Sequence, residues 1–388
     1  MTYEKKTIYY WCPFIGNVAT IDAVVNSIIS VKKYSNKTYE PLLINVAGEW
    51  DNKIDYLKKK DIKVINLRSS NIINYLPKFG FFQSRLTYIL IFFLSVFKLN
   101  KILKKNKPDY LIVHLITFIP LFLLIFNKYK TKFILRISGY PKLNFIRKKF
   151  WKFINNKIFY VTAPTKSTLK SLINEKVFSS SKISYLPDPI LKIKEIQIKK
   201  KENNFNEKEL SKKNSLIAIG RLTKQKNFSF LIEAFYEIQK KYDMLNLFIL
   251  GEGEERKNLE KKISDLNLSK KIFLVGYKKN IYDYLKNSKI FVLSSLWEDP
   301  GFVILEAGYL NKIIFSSDCP NGPIEILNAG KNGFLYKSNS IKSFVENFGK
   351  LVNYDNNEIY KKKLLLKKKC KEFTLLNHFR TLENILKQ

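Results

Sequence analysis

The chain has 388 residues, of which 46% are hydrophobic, and its formal net charge at pH 7 is +36. This length exceeds one typical domain and fits two, and the apolar fraction excludes a disordered basic tail. Two histidines exclude a histidine-rich metal site, and the three cysteines lack metal-like spacing, which indicates structural thiols in a reducing compartment.

Short apolar runs alternate with helical patterns along the first half of the chain. Strands are predicted at 6–10, 41–47, 62–67, 110–114, 133–137 and 158–163, and a helix at 21–33. The start lacks the order of a secretory signal, because its first residues already form the leading strand. Strands separated by helices indicate a parallel sheet with helices on both faces.

The same alternation restarts after a lysine-rich stretch. Residues 191–213 are predicted to be a linker, and strands follow at 216–220, 247–250, 272–275, 290–293 and 313–315. The fold class is therefore α/β, with two doubly wound, Rossmann-like parallel-sheet domains facing a cleft, at 1–190 and 214–370. The lysine-rich end, 360–388, is predicted to be helical.

Residues 297–307 cross a predicted loop-to-helix junction. Asp299 suits the N-cap and Pro300 the first helical position, where its missing N–H costs nothing. The amides that follow, at Gly301, Phe302 and Val303, would face an anion with the helix dipole behind them.

Two carboxylates eight positions apart flank this junction, because Glu298 precedes the helix and Glu306 lies on its second turn. A carboxylate can accept two hydrogen bonds at once, which suits the adjacent hydroxyls of a ribose. The stretch therefore predicts a site for a sugar nucleotide. The alternative interpretation is an exposed acidic helix start.

Two cations follow the predicted strand at 216–220. Arg221 and Lys226 lie on a strand-to-helix turn, at the carboxyl end of a parallel sheet, where α/β folds bind ligands. They could neutralise a diphosphate and stabilise its charge as it leaves. Among 69 Lys and Arg any pair of cations is weak evidence, so the position of this pair carries the argument.

The second half resembles the donor-binding half of the retaining glycosyltransferases of family four, which have the GT-B fold. The motifs that carry the resemblance occur in one order: Gly220-Arg221-Leu222, Lys226-Asn227, Gly251-Glu252-Gly253-Glu254 and the pair Glu298/Glu306. Residues 318–326 resemble the version found in bacterial surface-polysaccharide enzymes. The resemblance covers 215–336 well and the first half loosely.

The resemblance implies a donor contact for each of these residues. Arg221 and Lys226 would contact the diphosphate, and Glu306 would contact the ribose. Glu298, with the amides of Gly301 and Phe302, would contact the transferred sugar. The turn at Gly276-Tyr277 would lie against the base. Many family members have glycine after the first glutamate, where this chain has Asp299-Pro300, so the sugar preference does not carry over. The resemblance also implies that 371–388 crosses back onto the first domain.

The first half would hold the acceptor. The resemblance implies a flexible loop near the donor phosphates at Gly16 and a histidine that touches the transferred sugar at His114. A turn glycine and a structural histidine are the alternatives. Arg136, Ser138 and Lys142 follow another predicted strand and are candidates for binding an acceptor that bears phosphate.

An anionic membrane surface is a better partner for this charge than nucleic acid, because no nucleic-acid reading module is visible. Residues 86–99 are strongly apolar and lead into the lysine-rich 101–105, and 119–126 are apolar again. Both apolar stretches are shorter than the roughly 20 residues that span a bilayer, so no transmembrane helix is expected. The alternatives are an interfacial helix with a basic flank and a buried helix whose basic end meets water or lipid headgroups.

The sequence thus predicts a retaining transferase that moves a hexose or N-acetylhexosamine from a nucleoside-diphosphate sugar, with uridine expected, to a glycan hydroxyl. The glycan acceptor would be lipid-linked, for example on polyprenyl diphosphate at the cytoplasmic face of the membrane. Glu298, His114, Arg221 and Lys226 would form the catalytic centre, with no metal or cofactor, since no Asp-x-Asp occurs. The alternatives are a nucleotide-sugar epimerase, a phosphorylase, which would be longer, and a non-catalytic basic scaffold.

Overall fold

The computed structural model describes residues 5–16, 19–68, 72–73, 75–77, 81–139, 141, 143–202, 215–298 and 300–388. The chain divides into two compact units. Unit 1 comprises Met1–Ile190 together with Leu375–Gln388, and unit 2 comprises Leu191–Thr374.

Unit 1 contains a parallel seven-stranded sheet in the order β3-β2-β1-β4-β5-β6-β7. Its strands are β1 (Lys6–Trp11), β2 (Tyr39–Asn45), β3 (Lys63–Asn66), β4 (Tyr110–Val113), β5 (Lys132–Arg136), β6 (Tyr160–Ala163) and β7 (Ile183–Tyr185). Its helices are α1 (Ala19–Tyr34), α2 (Ile54–Lys59), α3 (Phe81–Asn106), α4 (Phe118–Phe126), α5 (Phe145–Ile154), α6 (Lys166–Asn174) and, from the end of the chain, α15 (Leu375–Leu386).

Both faces of this sheet are covered. In β1, Ile8 and Tyr10 belong to one buried cluster, and Tyr9 and Trp11 belong to another on the opposite face. This explains why the strands are nearly continuous apolar runs, since a strand buried on both sides has no polar face. Four apolar side chains of α15 complete the first cluster, so the predicted C-terminal helix is part of unit 1.

Unit 2 contains a parallel six-stranded sheet in the order β10-β9-β8-β11-β12-β13. Its strands are β8 (Ser215–Ile219), β9 (Asn246–Leu250), β10 (Ile272–Gly276), β11 (Ile290–Leu293), β12 (Ile313–Ser317) and β13 (Phe334–Tyr336). Its helices are α7 (Ile193–Lys199), α8 (Phe228–Gln239), α9 (Arg256–Asp265), α10 (Tyr282–Asn287), α11 (Phe302–Tyr309), α12 (Pro323–Ile326), α13 (Ile341–Val352) and α14 (Asn356–Cys370). The predicted class, two doubly wound α/β domains, is confirmed.

The predicted linker at 191–213 is wrong in its first part. Leu191 forms a parallel bridge with Thr374, and α7 follows at once. Ile196 of this helix is buried in the core of unit 2, which explains why a lysine-rich stretch is ordered. The rest of the predicted linker, 203–214, lies outside the described residues.

Helix α3 is longer than the apolar stretch predicted at 86–99. It has 26 residues, and among the described helices its segment Arg85–Asn106 is long and apolar enough to cross a membrane by length and composition. The exclusion of a spanning helix on length alone is therefore wrong. A helix in the core of a soluble protein can be equally long and apolar, and 33% of the apolar window within this segment is buried in the protein.

Candidate functional site

The loops that follow β8 and β9 lie at the carboxyl edge of the second sheet and touch backbone to backbone. Gly251 has a φ of +144°, and a Cβ there would lie 1.8 Å from the carbonyl oxygen of Gly220. A Cβ at Gly253 would lie 2.3 Å from the carbonyl oxygen of Leu222. The amide of Leu222 in turn donates to the Glu252 carbonyl at 2.9 Å. Only glycine permits this contact, which fixes the turn that carries the predicted cations.

Lys226 and Glu298 contact each other. The stem of Lys226 lies against Gly220, and its Nζ is 2.5 Å from Glu298 Oε1. Ser295 Oγ donates to the same carboxylate oxygen at 2.5 Å. The two ionised side chains are 17% and 5% exposed, so this is a largely buried ion pair. The sequence predicted both residues for the site but neither their pairing nor Ser295.

Three loops position this pair. Gln225 Nε2 donates to the Trp297 carbonyl at 2.9 Å, which joins the loop after β8 to the loop after β11. On the other side, Ser317 Oγ donates to the Ser295 carbonyl at 2.7 Å. A Cβ at Gly322 would lie 1.9 Å from the Pro300 carbonyl oxygen. Glu298 therefore has a fixed position between its neighbours before any ligand binds.

Helix α11 begins later than predicted. Its first residue is Phe302, and its N-cap is Gly301, which has a left-handed conformation with φ +85° and ψ +58°. Pro300 therefore precedes the cap, and the prediction that it occupies the first helical position is wrong; the predicted N-cap, Asp299, lies outside the described residues. The first-turn amides of Phe302 and Val303 have no acceptor within the helix, as at any helix start.

Arg221 is exposed on the turn after β8. Within the described part of the chain, no ion pair or side-chain hydrogen bond engages its guanidinium, whereas Lys226 on the same turn is paired. Arg221 is thus the predicted diphosphate cation that is available to an incoming anion.

Glu306 is hydrogen-bonded to a residue that the sequence analysis missed. Tyr282 Oη, from α10, donates to Glu306 Oε1 at 2.9 Å. Burial raises the pKa of Glu306 above its ordinary value, while the Tyr282 hydrogen bond and the Lys199 ammonium oppose that rise. Burial also raises the pKa of Tyr282, so its hydroxyl stays a donor. Lys199 comes from α7, the segment predicted to be linker, and no spacing rule connects these three positions.

Tyr277 lies on the turn that ends β10, and its side chain is 75% exposed. Gly276 before it has a φ of +81°, and a Cβ there would meet Glu252 Oε1 at 3.0 Å. Arg256 Nη1 donates to the same Glu252 oxygen at 2.7 Å. The Tyr277 ring is therefore free to stack on a base at a turn with a fixed conformation.

In unit 1, His114 directly follows β4 and is buried. Its ring stacks on Tyr10, and within the described ranges neither ring nitrogen has a hydrogen-bond partner. Burial, with the Arg136 guanidinium nearby, holds the pKa of His114 well below its ordinary value. The ring is therefore neutral near pH 7 and can offer one donor and one acceptor.

The structure contradicts an acceptor-facing Arg136. The side chain is buried, Nη1 donates to the Leu186 carbonyl at 2.6 Å, and Nη2 pairs with Asp188. The Arg136 guanidinium thus holds the segment that follows β7 against the end of β5. Nearby, Ser138 Oγ is buried and without a hydrogen-bond partner among the described residues.

Two other predicted residues of unit 1 receive little support from the local structure. A Cβ at Gly16 would meet nothing within 4 Å, and its φ is not positive, so no close approach in this structure requires glycine there. Lys142 lies outside the described residues. No group of three or more His, Cys, Asp or Glu side chains that could hold a metal ion occurs within the described ranges.

Comparisons with known proteins place these features in a family. The family model of the group 1 glycosyl transferases matches residues 199–365. An uncharacterized glycosyltransferase of Methanocaldococcus jannaschii is 32% identical over 79% of this chain and 76% of that protein. The UDP-Gal:alpha-D-GlcNAc-diphosphoundecaprenol alpha-1,3-galactosyltransferase of Escherichia coli is 32% identical over 45% of this chain and 46% of that protein.

A solved structure supports the fold over the whole chain. HepE of Anabaena in complex with UDP aligns with a TM-score of 0.73 over 99% of this chain and 100% of that chain, at 13% identity. The GT-B fold that the resemblance implied is therefore confirmed. Since the Methanocaldococcus jannaschii relative is 32% identical over 76% of its own length, the present chain belongs to the group 1 glycosyl transferases and is a transferase enzyme.

Proposed function

We propose that this enzyme transfers a hexose or N-acetylhexosamine from a UDP sugar, with retention of configuration, to a hydroxyl of a lipid-linked glycan in polysaccharide biosynthesis. The observation that carries the proposal is the buried pair of Glu298 and Lys226 at the carboxyl edge of the second sheet. A fixed, charged carboxylate beside a helix start suits a polyhydroxylated ligand that also bears phosphate.

The donor would lie across this edge in three parts. Arg221, the predicted cation without a partner among the described residues, and the first-turn amides of α11 would hold the diphosphate. Glu306 would accept the ribose hydroxyls, and the exposed ring of Tyr277 would stack on the uracil. Support for uridine comes from HepE, which was solved with UDP.

The transfer would break the bond between the anomeric carbon and the diphosphate oxygen, and the acceptor oxygen would form its bond on the same face. Arg221 and the helix amides stabilise the charge that develops on the leaving diphosphate. The acceptor's proton would pass to a diphosphate oxygen, which is why no separate base is assigned. Glu298 would orient the sugar hydroxyls, and a sugar contact for His114 stays a prediction from the resemblance. We propose that the reaction uses no metal or cofactor.

Support for a lipid-linked acceptor comes from the Escherichia coli relative, a galactosyltransferase whose acceptor is a sugar linked to diphosphoundecaprenol. A transferase that works on such an acceptor must meet the membrane surface where the lipid resides, so we assign the enzyme to the cytoplasmic face of the membrane. Arg136 is not part of the proposed acceptor site, because its guanidinium is already engaged. Ser138 and Lys142 remain the candidates on this segment.

The proposal is tested by incubating the chain with single UDP sugars, with and without a polyprenyl-diphosphate-linked sugar, and measuring released UDP and extended lipid. Release of UDP together with an extended lipid supports the proposal. An epimerase would instead change the sugar without releasing UDP, and a scaffold would do neither. Glu298→Gln should abolish transfer, whereas Lys257→Gln, an exposed substitution on α9, should leave it unchanged.

A further inference from the structure

Three neighbouring helices of unit 1 expose large apolar side chains, and we call this surface the α3–α5 face. Its apolar members, each between 49% and 77% exposed, are Leu86, Ile89, Phe93 and Phe97 of α3, Phe118 and Phe126 of α4, and Phe145, Ile146 and Phe153 of α5. The helices pack through aromatic rings, with Phe118 of α4 lying 5.9 Å from Phe92 of α3 and 5.4 Å from Phe150 of α5. Soluble monomers rarely expose an apolar patch of this extent without a partner for it.

Helix α3 has two opposite stripes. Thr87, Ile91, Ser95 and Leu99 recur every four residues and are buried against unit 1. Leu86, Ile89, Phe93 and Phe97 recur every three or four residues on the opposite side and are exposed. The exposed stripe then continues into exposed lysines, because Lys104 follows Phe97 by seven residues, which is two helical turns.

Cations dominate the charge around this face, although Glu175 pairs with Lys148 of α5. Asp109 is the only acidic residue between Asp61 and Glu175 in the sequence. Exposed cations accompany the apolar stripe at Lys101, Lys104 and Lys105 on α3, and at Lys149 and Lys152 on α5. Lys149 lies over the ring of Phe145 at 4.4 Å, so cation and aromatic ring are combined within the face.

We infer that the α3–α5 face docks the enzyme onto an anionic bilayer, with α3 lying in the plane of the membrane interface. Aromatic and aliphatic side chains enter the boundary between headgroups and acyl chains, while the lysines beside them meet lipid phosphates. The inference deepens the proposed function, since a lipid-linked acceptor gives such docking its purpose. The docking itself is argued from this surface alone.

Two other occupants fit less well. A second copy of the chain would bring the same cations against each other, because an interface between two copies pairs one surface patch with itself. A spanning α3 would have to remove the stripe of Thr87, Ile91, Ser95 and Leu99 from the core of unit 1. A helix that keeps one stripe in the protein core can offer only its other stripe to lipid.

The test is co-sedimentation of the full chain with phosphatidylcholine vesicles, with and without phosphatidylglycerol. We expect the wild type to prefer the anionic vesicles and to be released by salt. Replacing Lys101, Lys104 and Lys105 with glutamine should lower partitioning about a hundredfold on anionic vesicles, since each lysine contributes about fivefold. Replacing Lys257, Lys261 and Lys270 of unit 2 removes the same charge elsewhere and should have a much smaller effect.

The apolar half of the inference has its own matched pair of variants. Phe93→Ser with Phe97→Ser should lower partitioning on both vesicle types by at least about tenfold, because two inserted rings are lost. Met244→Ser with Leu364→Ser removes exposed apolar side chains from unit 2 and should leave partitioning unchanged. All four positions that are changed to serine are exposed, so folding should be preserved, as a thermal melt would check. UDP release with a water-soluble acceptor is measured in parallel.

Several results would overturn the inference. One is a wild type that binds neutral and anionic vesicles equally weakly, or face variants that bind as well as the wild type does. Another is an altered association state of the Phe93/Phe97 variant in sedimentation velocity while its vesicle binding is unchanged. That result would make the face an interface between two copies of the chain. Resistance to alkaline extraction would indicate a spanning α3. If UDP release is absent from every variant while vesicle binding behaves as described, the proposed function fails and the docking inference stands.

Discussion

Removal of the Lys226 ammonium should destabilise unit 2 as well as lower activity. In Lys226→Met the Glu298 carboxylate stays buried, at 5% side-chain exposure, and among the described side chains it keeps only the Ser295 hydroxyl, at 2.5 Å. Deleting one partner of a buried ion pair costs about 3–5 kcal/mol. Because Lys226 is still 17% exposed, water can partly replace it, and the lower end, about 3 kcal/mol, applies.

This cost converts into a measurable melting shift. For a domain of this size, about 1 kcal/mol corresponds to roughly 2–4 °C, so the melting transition of unit 2 should fall by about 6–12 °C. Differential scanning calorimetry measures it. Lys224→Met is the matched control, since Lys224 is on the same 3₁₀ turn and is exposed, and it should leave the transition unchanged.

A second substitution separates stability from catalysis. Adding Glu298→Gln to Lys226→Met removes the stranded charge, while the glutamine oxygen can still accept from Ser295, so most of the lost stability should return. Transfer activity should not return, because the proposed contact of the Glu298 carboxylate with the sugar hydroxyls is still missing. The reasoning is refuted if Lys226→Met melts with the Lys224→Met control, or if the double variant regains no stability.

Three further predictions follow from buried or crowded positions. Since burial raises the pKa of Glu306, UDP affinity measured by titration calorimetry should fall as pH decreases through that pKa. The Tyr282 hydrogen bond lowers the pKa of Glu306, so Tyr282→Phe should move the loss of affinity to higher pH. Gly251→Ala places a Cβ 1.8 Å from backbone at φ +144° and should lower the free energy of unfolding by about 3 kcal/mol or more, whereas Gly16→Ala meets nothing within 4 Å and should not. Burial lowers the pKa of His378 from 6.5 to about 4, so between these pH values the unfolded chain binds more protons than the folded one. The free energy of unfolding of unit 1, measured by urea titration, should therefore fall by about 3 kcal/mol as pH falls through that range. His378→Gln should weaken this dependence of the unfolding free energy on pH.

The fold could be read from the sequence because its strands are buried on both faces. Such strands are compact apolar runs, and β11 was predicted at its observed bounds, Ile290–Leu293. The strands that were missed, Ile183–Tyr185 and Phe334–Tyr336, have only three residues each, too few for a run to stand out. The length of an apolar run, more than its hydrophobicity, therefore decided which strands could be predicted.

The site was harder to predict, because its geometry depends on contacts between distant segments. The sequence rule that places proline at the first helical position was overridden at Pro300, where Gly322 packs against the preceding carbonyl and Gly301 caps the helix instead. Arg136 lies at the end of a strand, as predicted, but its guanidinium pairs with Asp188, which lies 52 residues later in the sequence. Tyr282 and Glu306 lie in separate helices, and no local spacing indicates their hydrogen bond.

The large excess of lysine has different consequences at different places in the fold. A lysine in water beside other lysines contributes little to stability, and most of the chain's positive charge is of this kind. At Lys226 the fold encloses the ammonium with a carboxylate, so its charge becomes part of a fixed arrangement that a substrate must meet. On the α3–α5 face the opposite holds, because among the described residues Lys148 of α5 pairs with Glu175 but no ion pair engages Lys101, Lys104 or Lys105, which lie beside exposed aromatic rings. The net charge by itself therefore indicates neither a substrate nor a membrane; its function is decided by which cations the fold pairs with acids and which it leaves unpaired.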